Sequence, residues 1–117
     1  MAIPRFEDMM LPLLKLLGDG KSHSFKDAEE HLIKHFGLSE EEQKQQKPSG
    51  NETLFHNRLH WAKFYLKKAG LVDNPPRSYI KITKRGSGVI KENLEKIDIT
   101  YLKKFQEFAI FVQKKQK

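Results

Sequence analysis

The chain has 117 residues, with 22 Lys+Arg against 15 Asp+Glu, five His and no Cys, which is room for one domain around one core. At 38% hydrophobic and 32% charged residues it is too apolar for wholesale disorder, and it has neither an apolar run near the ~20 residues of a membrane helix nor a charged-then-apolar export signal. The lack of Cys removes disulfides, thiol catalysis and Cys-ligated zinc, and it suits a reducing, cytoplasmic setting.

In chain order, Phe6, Met10, Leu13, Leu14 and Leu17 fall at helical spacing, and Gly18 stops the run. Pro12 lies inside it, so the helix either begins at about Leu11 or kinks at the proline. Asp19-Gly20 is a turn, and Lys21-Ser22-His23 a short extended piece. Ser24 caps a second helix, with Asp27 three residues on; Phe25, Ala28, Leu32 and Phe36 line its inner face and Gly37 ends it. Ser39 with Glu42 repeats the capping signal for a short polar helix, and Lys47-Pro48-Ser49-Gly50-Asn51 is a loop. Over residues 53–69 an apolar stripe of Phe55, Leu59, Ala62, Leu66 and Ala69 marks a fourth helix, closed by Gly70. Its opposite face carries Thr53, His56, Asn57, His60, Phe64 and Lys67. Leu71-Val72 and the alternating residues 79–83 form a hairpin around Asn74-Pro75-Pro76-Arg77-Ser78. Thr83 caps a further helix through Leu94. Asp98 opens a last one, with Tyr101, Leu102, Phe105, Phe108, Ala109 and Val112 on one side.

This order is that of a winged helix-turn-helix, a mainly α (α+β) fold with a short β-hairpin wing and a C-terminal helical extension. In such folds the exposed helix enters the ~12 Å major groove, while the hairpin tip reaches an adjacent groove or the backbone. The charge is placed accordingly. Residues 1–50 carry seven basic and nine acidic side chains, and residues 51–117 carry fifteen and six, so the second half attracts polyanions, nucleic acid first among them.

The stretches FEDMMLPLLKLLGDG (6–20), GLSEEEQKQQKPSGNETLFHNRLHWAKFYLKKAGLV (37–72) and YIKITKRG (79–86) together resemble the N-terminal domain of Mrr-type restriction endonucleases, which are type IV, modification-directed enzymes. The resemblance covers roughly the whole chain. It implies one winged-helix DNA-binding domain over residues 1–117, with 96–117 a helical extension or linker toward a PD-(D/E)xK nuclease domain that this sequence lacks. The chain itself is then not an enzyme. Its implied partners are double-stranded DNA, with any preference for modified bases resting on the resemblance alone, and a nuclease domain in cis or in trans.

Thr53, His56, Asn57 and His60 are the candidate base readers, since Asn pairs bidentately with adenine and His or Thr can meet bases or phosphates. Lys63 and Lys67, with Lys68 beside them, are candidate phosphate contacts that position rather than specify. Arg77 at the hairpin tip is the candidate minor-groove or backbone probe, and Lys81, Lys84 and Arg85 extend the positive surface. For each, the structural alternative is a solvated helix or loop side chain. Arg58 lies near the apolar stripe, where a structural ion pair is the better expectation, and Trp61 and Tyr65 border the stripe as core residues. Phe64 is a large apolar side chain on the outer face, suited to packing under the hairpin or against a partner. Ile110 and Phe111 fall off the last helix's main stripe and are candidates for docking on a following domain or a second copy, with burial against the first helix as the alternative. A protein-interaction or dimerisation winged helix, and a stand-alone dimeric transcriptional regulator, are thus the rival readings.

Neither a metal nor a cofactor is expected. His31/His35 and His56/His60 have i,i+4 spacing, but no Cys or suitably placed carboxylate completes a site. Glu42-Gln43-Lys44 matches half of a nuclease signature by letters only, on a helix where strands are required. Gly86-Ser87-Gly88 lacks the remaining features of a nucleotide loop.

Overall fold

Helix α1 (Phe6–Leu16) runs unbroken through Pro12, so the proline neither delays the helix nor ends it. The start is set upstream, where the Arg5 N–H donates to the Asp8 carboxylate at 3.2 Å and Met9 and Met10 are fully buried. The computed structural model describes residues 3–73 and 79–115. After α1, a 3-10 turn (Leu17–Asp19) closes on Gly20 at φ 80°, a left-handed conformation that glycine adopts without steric cost. Asp19 accepts from the Lys21 N–H at 2.9 Å and meets the His23 ring at 3.0 Å, which fixes the entry into β1 (His23–Ser24).

The capping signals hold. Ser24 Oγ accepts from the Asp27 N–H at 3.0 Å at the head of α2 (Phe25–Phe36). Gly37, at φ 62°, returns the Leu38 N–H to the Ile33 carbonyl. In α3 (Glu40–Lys44), Ser39 and Glu42 satisfy one another's backbone N–H groups. Thr53 Oγ1 accepts from the His56 N–H at the head of α4 (Leu54–Lys68).

Strands β2 (Val72–Asp73) and β3 (Tyr79–Ile82) pair antiparallel, and β1 pairs antiparallel with the other edge of β3. The sheet order is therefore β1-β3-β2. This places the extended piece before α2 beside the hairpin after α4 and closes the core over α1. The result is a mainly-α, winged-helix-like α+β fold. Among the described residues no helix is long and apolar enough to cross a membrane.

Two later elements differ from expectation. Helix α5 (Lys84–Ile90) stops short of Leu94, because 3-10-type bonds from Glu92 and Asn93 unwind it and Asn93 turns to φ 55°. Its start is locked instead. Thr83 Oγ1 accepts from the Gly86 N–H and donates to the Gly70 carbonyl at 2.7 Å. A Cβ on Gly86 would collide with the Leu71 carbonyl oxygen and Ile82. The last expected helix is two, α6 (Ile99–Leu102) and α7 (Gln106–Lys115), joined by a turn at 103–105. In one straight helix Leu102 and Phe108 would point about 120° apart; the turn lets both reach the core, where each is fully buried.

Candidate nucleic-acid interface

Helix α4 carries three kinds of surface. Phe55, Leu59, Ala62 and Leu66 are buried against the core. His56, His60, Lys63 and Lys67 recur along one flank at i, i+4, i+7 and i+11, beside the start of α2. There, Phe25, Lys26, Glu29, His56, His60 and Lys63 line an open groove of about 440 Å³. A third stripe, Asn57, Trp61, Phe64 and Lys68, lies next to it.

The N-terminal readers are already engaged. Thr53 is the helix cap. His56 Nδ1 lies 3.0 Å from Glu29 Oε1 on α2, and the Asn57 amide donates to Glu52 Oε1 at 2.7 Å. That amide, with Lys47 3.3 Å from the same oxygen, holds the Glu52 carboxyl below the usual carboxylate range. Glu52 is legible as a partner from its place at the helix start. Glu29 gives no local signal, because 27 residues separate it from His56.

The next turn is more open. His60 is exposed, and Lys63 Nζ sits 5.2 Å above the Phe25 ring. Burial and the neighbouring Lys67 push the Lys63 pKa below its ordinary value. Lys67, on the last turn, is exposed. Lys81 on β3 and Lys84 at the first position of α5 are also exposed, Lys81 opposite Asp73 in the strand register. Among the described residues none of these four lysines forms an ion pair. Arg77 lies outside the described residues.

Arg85 and Arg58 turn inward. Arg85 donates to the Ala69 carbonyl and to Glu107, both at 2.9 Å, and stacks over Phe105, so it braces α7 against the end of α4. Among the described residues Arg58 has no carboxylate partner; it donates to the Ile3 and Pro4 carbonyls at 2.9 and 3.2 Å, satisfying backbone acceptors that the N-terminal segment leaves open. Phe64 packs edge-on against Phe111 of α7 at 5.7 Å. Ile110 is 43% exposed. Trp61 departs from its expected core position and is 39% exposed; its place one turn beyond Asn57 on the outer stripe is the signal that marks it.

His60 gives this surface a pH dependence. Partial desolvation of the ring against its neighbours, followed by Lys63 and His56, holds its pKa below the ordinary 6.5. The neutral ring is therefore the form present at neutral pH, and its stability contribution is complete above 6.5 and declines as pH falls further. A phosphate beside the ring would favour the protonated form. If this surface meets nucleic-acid phosphate, its affinity is expected to rise as pH falls below 6.5, and the rise should be shallower in His60→Gln, as read by fluorescence anisotropy across a pH series.

Glu42 is consumed by the α3 cap, and among the described residues no group of three His, Cys, Asp or Glu side chains could hold a metal. No curated protein and no solved structure matches the chain. A family model does, over residues 6–92, and its description is the Mrr N-terminal domain.

Proposed function

Because the chain belongs to the Mrr N-terminal domain family, we propose that it is the double-stranded DNA recognition module of an Mrr-like restriction system, acting in the cytoplasm and leaving catalysis to a nuclease domain in cis or in trans. Helix α4 lies in the major groove, and the hairpin tip at 74–79, with Arg77, rests on the backbone or in the minor groove. The observation that carries this reading is the flank of α4: His60, Lys63 and Lys67 recur along its outer side with no carboxylate paired to them among the described residues. Lys81 and Lys84 add positive charge on the strand and helix that follow. Their role is to neutralise phosphate, and sequence reading falls to Asn57, His56, Thr53 and His60.

The test is a mobility-shift titration over a salt series. Contact with ~5 phosphates gives a log affinity against log salt slope near −4.5. A flat slope on every duplex would remove this reading and leave the protein-interaction module. Paired arms with methylated and unmethylated duplexes decide whether modification enters recognition.

A further inference from the structure

Trp61 opens onto a groove of about 320 Å³ between α4 and α7, lined with Phe64, Phe111 and Lys114. The Trp61 and Phe64 rings stand nearly perpendicular, 87° at 5.6 Å, and Phe64 meets Phe111 edge-on. Lys68 Nζ bridges the rings, 5.3 Å above Phe64 and 5.2 Å above Phe111. The two carboxylates flanking this stretch are occupied elsewhere, Glu52 with Asn57 and Lys47 and Glu107 with Arg85. The groove is thus an aromatic floor with a lysine rim.

That combination complements a nucleobase and its phosphates better than an apolar protein face. The exposed large apolar side chains among the described residues, Trp61, Tyr79 and Ile110, sit on three different elements. The stripe of Trp61, Phe64 and Lys68 also lies next to the stripe of His60, Lys63 and Lys67, each position one residue and ~100° on around α4. A strand following the lysines passes the Trp61 ring. A paired base offers only its edges, so the face that stacks here must come from an unpaired or extruded nucleotide.

We propose that the groove between α4 and α7 binds one unpaired nucleobase, stacked on Trp61, with its flanking phosphates on Lys68 and Lys114. The duplex context of that base rests on the DNA-binding function proposed above. The single tryptophan of the chain makes the test direct. Its fluorescence is followed during titration with a fully paired duplex, the same duplex with one bulged thymidine, and single-stranded oligothymidylate. Quenching by the last two, with tighter binding of the bulged duplex than of the paired one, is the expected result. Trp61→Leu should reduce the bulged-duplex affinity by about 5- to 100-fold while Trp61→Phe largely retains it. Lys114→Glu, which leaves the rings intact, should also lose the preference for the bulge. Equal affinity for both duplexes with unchanged emission overturns the groove and leaves duplex recognition standing. Quenching by the single strand without duplex binding supports the groove and overturns the duplex reading. No quenching by any of the three overturns the groove, as does a Trp61-dependent dimer in sedimentation, which would assign the surface to a second copy.

Discussion

Replacing Phe108 by Ala is expected to destabilise the fold by about 3–5 kcal/mol, as much as Phe55→Ala at the centre of the domain. Phe108 lies beyond the family match at 6–92, in a stretch whose sequence suggests a linker. Yet Ile97, Leu102 and Phe108 are each fully buried. Phe108 packs against Tyr65 of α4 at 5.8 Å, and the Ile99 N–H donates to Glu7 of α1 at 3.1 Å. Removing the ring would open a cavity between α4 and α7 that the surrounding helices can only partly fill. For a domain of this size, thermal unfolding followed by circular dichroism should drop by more than about 10 °C. A drop of only a few degrees would mean that α7 is loosely attached.

Lys67→Glu combined with Lys84→Glu is expected to lower duplex affinity by about 100-fold and to flatten the salt slope by about 2. The two positions are on separate elements, α4 and α5, and both are exposed. Stability should change little. A Glu in the last turn of α4 opposes the helix dipole and one in the first turn of α5 favours it, each by ~0.3–1 kcal/mol. The loss should be uniform across duplex sequences, because phosphate contacts carry no sequence information. Unchanged affinity and slope in a folded double variant would remove α4 and α5 from the interface.

What the sequence makes legible here is local. Ser24, Ser39 with Glu42, Thr83 and Asp98 cap helices where they are expected, because a cap is settled within four residues. Gly37 and Gly70 close α2 and α4 for a similar reason. The period-two stretch at 79–83 is the central strand. The pairing of the two-residue β1 with that strand is not legible, since its partner lies more than fifty residues away and comes from chain closure. The same holds for the site. Helical periodicity places His60, Lys63 and Lys67 on one outward flank, but it cannot reveal that Glu29 faces His56 or that Glu107 engages Arg85. It also could not show that α7 covers Phe64, because the break at 103–105 that aims α7 depends on where Leu102 and Phe108 must be buried.

Glu52 occupies the amide of Asn57 before any nucleic acid arrives. A base edge that takes that amide forms one hydrogen bond while another is surrendered, so the exchange adds almost nothing to overall affinity. What it adds is contrast. At that step a base able to outcompete the carboxylate is accepted, and one that cannot leaves Asn57 where it began. If Asn57 reads bases as proposed, the resident acid makes it a comparator rather than an adhesive.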